Sequence, residues 1–292
     1  MRPRNLNLSR REALAALGLA ALSCRTTLAG AENPNAATGK KGFALQMYTL
    51  REPAKKDLPG TLKKAREIGF EYVQWSGMPN LPADEIRAAL DAAGLKAIAG
   101  HVSAEAFEED FHKEARFWRT VGAHDVAVGG MMKDCKADLA GWLKGAKRLD
   151  ALGARLREAG MRFSYHNHRF EFEKFPGESR CKLDILLEST RPENLCAEFD
   201  VAWVFQGGAD PAAYFRKYKG RCPVVHIKDT LPAKNKKVRF TPLGQGALDW
   251  KDIFAAGQEA RIEWYVYEQD SGEGSPFDYA RVSYAFLKKN LP

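Results

Sequence analysis

Four apolar runs in the second half of the chain each end in side chains that bind metals or move protons. They are Phe163-Ser164-Tyr165-His166-Asn167-His168, Ala197-Glu198-Phe199-Asp200, Val224-Val225-His226-Ile227-Lys228-Asp229 and Tyr265-Val266-Tyr267-Glu268-Gln269-Asp270. Short apolar runs separated by helical stretches read as parallel strands buried on both faces. Polar groups at the C-terminal ends of such strands are where an α/β barrel keeps its chemistry. Four of them in order point to one site assembled from four directions.

The same alternation runs through the rest of the chain. Strands are expected at Phe43–Leu50, Tyr72–Trp75, Lys96–Val102, Asp125–Val128, Arg162–His168, Leu195–Asp200, Val224–Lys228 and Glu263–Glu268. Between them lie amphipathic stretches such as Leu58–Ile68, Ala83–Ala93, Phe107–Val121, Ala137–Ala159 and Lys182–Ser189, several ending at a glycine just before the next strand. Strand starts recur roughly every 25 to 40 residues, the length of a βα unit. Eight units predict a single (β/α)8 TIM barrel over residues 42–292. An open doubly wound sheet is the alternative, but no GxGxxG turn follows the first strand.

The N-terminus reads differently. Arg10-Arg11 precedes the weakly apolar stretch Ala13–Leu22, and Ala29-Gly30-Ala31 offers a small-x-small cleavage site. Residues 1–31 are therefore expected to be a twin-arginine signal peptide, followed by a flexible lead-in over 32–41. The expected location is periplasmic or exported; a lipid anchor through Cys24 is the lesser alternative. The apolar stretch is too short to span a bilayer. Without residues 1–31 the chain loses five arginines and one glutamate, and its net charge falls from +8 to +4. No Lys/Arg run in the remainder suggests nucleic acid. Cys135, Cys181, Cys196 and Cys222 show no CxxC spacing and read as buried free thiols.

Side chains two apart on a strand share a face. Ser164, His166 and His168 therefore form one face, as do Glu198 with Asp200, His226 with Lys228, and Glu268 with Asp270. Imidazole and carboxylate groups on rigid supports are what a divalent cation needs, with room left for substrate oxygens. Asp200 also suits the N-cap of the following helix. Gln46 and His101, at the ends of the first and third strands, are placed to hydrogen-bond a small ligand, and Trp75 and Trp203 to offer it flat apolar faces.

These motifs, with Leu45-Gln46-Met47-Tyr48-Thr49-Leu50-Arg51 and the glycine-rich Pro242-Leu243-Gly244-Gln245-Gly246-Ala247-Leu248-Asp249-Trp250, resemble the xylose-isomerase-like barrel superfamily. That is the sugar-phosphate isomerase/epimerase group, which also includes endonuclease four. The resemblance runs from about Phe43 to the C-terminus. It implies one divalent metal ion, manganese, zinc or magnesium, held by His166, Asp200, His226 and Glu268, with His168 an alternative to His166. Where many members carry Glu-Asn on the fifth strand this chain has His166-Asn167, so only Glu268 remains of the family's two-glutamate proton shuttle. Trp203 stands where the endonuclease branch has a further histidine ligand, which argues against a three-metal phosphodiesterase.

The expected activity is a metal-dependent isomerase or epimerase on a sugar or ketosugar, working through a metal-stabilised enediolate. A lyase or hydrolase on oxidised glycosides is the alternative, and a non-catalytic carbohydrate-binding barrel the second. Glu268, His166 and Lys228 are the expected catalytic groups, with His168 a further choice of base. Gln46, His101, His168, Trp203 and Lys228 are the expected substrate contacts. The expected partner is a small carbohydrate, with no nucleic acid and no membrane span.

Overall fold

The structure, a computed structural model, describes Gly39 and residues 41–234 and 237–292. The expected signal peptide, with Arg10, Arg11 and Cys24, and nearly all of the lead-in lie outside the described residues. Ten strands follow one another: β1 (Gly42–Gln46), β2 (Tyr72–Trp75), β3 (Lys96–Val102), β4 (Asp125–Val128), β5 (Arg162–His166), β6 (Cys196–Glu198), β7 (Val224–Ile227), β8 (Asp229–Lys234), β9 (Lys237–Thr241) and β10 (Trp264–Tyr267). Eight of them form one sheet in the order β6-β5-β4-β3-β2-β1-β10-β7, with parallel pairing throughout. A parallel bridge between Asp200 and His226 joins β6 to β7 and closes the ring. The fold is a TIM barrel.

The strands form where β-branched and aromatic residues cluster, and every residue of β7 and β10 is buried, as in a sheet covered on both faces. The helices before β2, β3 and β5 stop where the sequence suggested, and Gly69, Gly94 and Gly160 there have φ of 123°, 69° and 71°, conformations costly for residues with a Cβ. The N-terminal end of the barrel is tied by side-chain ion pairs. Arg162 pairs with Asp125 and, at 2.9 Å, with Glu263, to which Lys41 also binds at 2.7 Å. Cys135, Cys181, Cys196 and Cys222 are all buried.

Several boundaries differ from the sequence reading. β1 stops at Gln46 and turns into a 3-10 segment over Met47–Leu50, in which the Tyr48 amide donates to the Gln46 side chain. β5 ends at His166, so His168 is not a strand residue. β6 is three residues long because Asp200 instead caps the helix Val201–Gln206, its Oδ1 accepting from the amides of Ala202 and Trp203 at 3.0 and 3.1 Å. The antiparallel hairpin β8–β9 was not expected at all. Asp229 at its base accepts from the amides of Gly244 and Gly246 and from Trp250 Nε1 at 2.8, 3.0 and 2.9 Å. A Cβ on Gly246 would fall 2.0 Å from that carboxylate, which explains the glycine there. Asp229 thus pins the glycine-rich turn. No helix among the described residues is long and apolar enough to cross a membrane.

Candidate active site

Strand ends from around the barrel meet over a cavity of about 330 Å³ lined by Tyr48, Ser76, His101, Gly129, His166, His168, Trp203, Lys228, Glu268 and Asp270. Beneath it lies a layer of buried polar groups. Gln46 Nε2 donates to Gln74 Oε1 at 3.1 Å, and Gln74 Nε2 donates to Glu198 Oε2 at 2.9 Å. Glu198 Oε1 lies 2.6 Å from His101 Nε2, 3.1 Å from His226 Nε2 and 3.4 Å from His166 Nδ1. Burial works against the Glu198 charge, but His226 and His101 outweigh it and hold the carboxyl well below its usual range.

The two nitrogens of His226 both face acceptors. Nδ1 is 2.9 Å from Glu268 Oε2, and Nε2 is 2.5 Å from Gln74 Oε1, an oxygen that already accepts from Gln46. Both nitrogens must then donate, so the ring is an imidazolium. Its pKa follows: burial opposes the charge, while Glu198 and Glu268 push it up to about 10. His166 lies 4.5 Å from His226 ring to ring; burial and that charge hold it well below the usual imidazole range. His166 is therefore a neutral imidazole whose Nδ1 makes no hydrogen bond.

Lys228 is 1% exposed, and its Nζ sits 2.8 Å from Asp200, 2.8 Å from Glu268 and 2.7 Å from Asp270. Lys228 and the His226 imidazolium against Asp200, Glu268, Asp270 and Glu198 leave an excess of negative charge. Asp270 registers it: burial raises its carboxyl, Lys228 opposes, and Glu268 and Asp200 bring the result to about 6. Such an excess in a buried site calls for another cation. Two overlapping groups have their ligand atoms within 4.8 Å of one another, namely His166, Asp200, His226 and Glu268, and His101, His166, Glu198 and His226. A divalent ion fits this donor set, since it would take the place of the proton on His226 and meet the open Nδ1 of His166.

Of the residues expected from sequence, the structure brings His166, Asp200, His226 and Glu268 together, with Lys228, His101, His168 and Trp203 around the same cavity. Trp203 presents its ring 5.6 Å from Lys228 Nζ and edge-on to Phe240 of the hairpin. His168 reaches the cavity although its strand stops early, because the buried Glu171 carboxylate accepts from its backbone amide at 2.8 Å and from Tyr165 Oη at 2.9 Å. Two residues are corrected. Gln46 is fully buried in the layer below the cavity and holds Gln74 rather than a ligand. Trp75 packs in the hydrophobic core. Gln74, Glu198 and Asp270 belong to the site and had been given no role. For Glu198 and Asp270 the signal was present in their parity with Asp200 and Glu268.

A sequence profile of the xylose isomerase-like TIM barrel family matches residues 62–290. The chain belongs to that family. The chain is 30% identical over 167 residues to inosose dehydratase of Lacticaseibacillus casei, covering 51% of this chain and 55% of that protein. The chain thus spans about half the length of the curated relatives it matches. Among solved structures, a sugar phosphate isomerase/epimerase from Parabacteroides distasonis superposes with a TM-score of 0.74 at 21% identity, over 85% of this chain and 98% of its own. The IOLI protein, determined with a bound zinc atom, superposes with a TM-score of 0.65 at 14% identity, over 85% and 97%. These two likenesses show a shared fold.

Proposed function

We propose that this family member is a metal-dependent enzyme that breaks a carbon–oxygen bond at the carbon β to the carbonyl of an oxidised, polyhydroxylated ring, by β-elimination. Held by His166, Asp200, His226 and Glu268, a divalent ion of manganese, zinc or magnesium would supply Lewis-acid polarisation of the substrate carbonyl. The chain's own residues do the rest. His168, which lines the cavity, takes the proton from the carbon beside the carbonyl. Lys228 donates to the oxygen on which charge develops, held in place by Asp270 at 2.7 Å. Trp203 offers a face to the ring, and Ser76 and His101 offer hydrogen bonds to hydroxyls.

The observation that carries this reading is the position of Glu198. An exchange between two carboxylates would need one on each side of the substrate, yet Glu268 and Asp270, which line the cavity, share the one Lys228 ammonium, and Glu198 is 1% exposed and committed to Gln74 and His101 beneath the cavity. What faces the cavity is an imidazole wall opposite a lysine–carboxylate pair. That arrangement suits one proton removal with expulsion of a neighbouring oxygen. The half-length likeness to inosose dehydratases points the same way. Isomerisation or epimerisation is the second reading, and Glu268 favours it, since it lines the cavity and offers one carboxylate across from the imidazoles.

The test is incubation of metal-loaded protein in deuterated water with an inosose and with oxidised sugars and glycosides. Elimination yields an enone, read by its ultraviolet absorbance, together with released water or alcohol. Deuterium appearing in a recovered sugar, with no enone, would establish the second reading instead. Neither outcome with any substrate, despite a filled metal site, would leave a carbohydrate-binding barrel.

A further inference from the structure

The cavity over the metal-ligand cluster does not end at Gly129. The same residue lines a second depression of about 260 Å³ at the tops of β3 and β4, bordered by Ser103, Glu105, Gly130, Met131 and Lys136. We propose that this depression is a second subsite, and that the substrate is a two-unit conjugate whose leaving group is itself a polyhydroxylated ring. The proposal rests on the reading of the site as a carbohydrate enzyme and names its substrate class.

Gly129 makes the passage. A Cβ built on it meets no atom within 4 Å, so the position opens onto free space, and its φ lies outside the left-handed range. Nothing in the backbone or the packing requires glycine there. What a side chain would do is stand in the opening between the two chambers.

One aromatic ring backs both depressions. The Phe170 ring stacks on His168, with centroids 6.4 Å apart and planes at 17°. Its far edge reaches Gly130, whose Cβ position is 4.0 Å from Phe170 Cζ, and Lys136 Nζ sits 5.7 Å from the ring centre. Phe170 therefore packs against a lining residue of the first cavity, His168, and against two of the second depression, Gly130 and Lys136. The polar groups around it are mixed: a serine hydroxyl, a carboxylate and an ammonium. An anion would meet Glu105, whereas a neutral polyol both donates and accepts and can use all three.

The chemistry balances without a further reactant. His168 takes the proton from the carbon beside the carbonyl, and a carbon–carbon double bond forms to the next carbon. The bond from that carbon to the bridging oxygen breaks, and the oxygen leaves as an alcohol after gaining a proton, by way of His168 or Lys228. The carbonyl is retained and nothing is oxidised or reduced. With a hydroxyl as leaving group the product would be water, and the second chamber would have no part to play.

Binding tests the subsite apart from turnover. Zinc-loaded protein is titrated calorimetrically with glucose and with trehalose, maltose, cellobiose and sucrose as unoxidised probes. At least one disaccharide should bind ten-fold or more tightly than glucose, and Gly129→Val should reduce that ratio to near one. Lys136→Ala, on an exposed residue, should lower the same ratio several-fold and serves if the valine variant fails to fold. Equal affinities in the unmodified protein, or equal losses for glucose and disaccharide in the variants, would overturn the proposal. A disaccharide preference without enone formation from any oxidised glycoside would sink the elimination reading and leave the subsite standing. Elimination from a free oxidised sugar without the preference would do the reverse.

Discussion

Asp200 and His226 form the parallel bridge that joins β6 to β7, and the same two side chains belong to the cluster of potential metal ligands. Closure of the barrel and assembly of the site are therefore one event. The seam is short: beyond the bridge, His226 donates its amide to Phe199 at 2.8 Å and Ala197 donates to Arg221 at 2.8 Å. An ion bound across it would stitch together the least paired junction of the sheet.

Metal should accordingly raise stability. At a free concentration of one hundred times its dissociation constant, a ligand bound only by the folded state adds about 2.7 kcal/mol. Thermal melts with zinc or manganese and with a chelator should differ in that direction. Asp200→Asn is the discriminating variant, since an amide oxygen still caps the helix Val201–Gln206 while the charge is gone. It should fold, melt near the metal-free protein and show little response to metal. Full occupancy of Asp200→Asn and of His226→Ala by elemental analysis would dismiss the ligand assignment.

Lys228→Met removes the buried ammonium that three carboxylates share. Taking one partner from a buried ion pair costs about 3–5 kcal/mol. Urea denaturation in chelator should show a loss of that order. Saturating divalent metal should recover much of it, because the ion supplies the missing charge. A loss that metal does not reduce would mean that Lys228 and the ion serve separate charges.

The parts of this site that were legible in the sequence are those carried by local pattern. The apolar runs located the strands, and alternation along them put His226 with Lys228 and Glu268 with Asp270. Contacts across the barrel were not legible. Glu198 finds His101 and Gln74 at separations of 97 and 124 residues, and no local pattern encodes such partners. Gln46 followed the expected direction but sits too deep, a matter of layer rather than face. The β8–β9 hairpin was missed because Lys234, Lys237 and Arg239 give it the composition of a loop. His168 was placed at the cavity for a reason that does not hold, strand alternation, when Glu171 is what positions it.

Glu171 gives a pH prediction. Burial raises its carboxyl to about 7, against the hydrogen bonds from His168 and Tyr165 that lower it. A carboxyl whose folded pKa exceeds its unfolded value near 4.5 binds more protons when folded. Its contribution is thus fully present below about pH 4.5 and is lost as pH rises to about 7. The loss amounts to about 3 kcal/mol for a shift of this size. Glu171→Gln keeps acceptor and donor in place without a charge. The stability difference between Glu171→Gln and the unmodified protein should therefore grow in favour of the variant between these pH values. A difference that stays flat across the range would show that Glu171 does not titrate there.

The last prediction concerns the base. If His168 removes the proton, it must be neutral, and activity falls as pH drops through its pKa. Burial is the main influence on that ring and lowers its pKa; Asp200 opposes and Lys228 adds to the lowering. A metal ion nearby acts in the same direction as Lys228, so the acid limb of the kcat/KM profile should lie below the ordinary imidazole value of about 6.5. His168→Gln should retain metal and lose turnover by roughly two orders of magnitude or more. Glu268→Gln tests the competing assignment, because an amide oxygen still ligates weakly but accepts no proton at neutral pH. With metal saturating, Glu268→Gln should keep much more activity than His168→Gln. The opposite ranking would move the base to Glu268 and return the enzyme to the isomerase or epimerase reading.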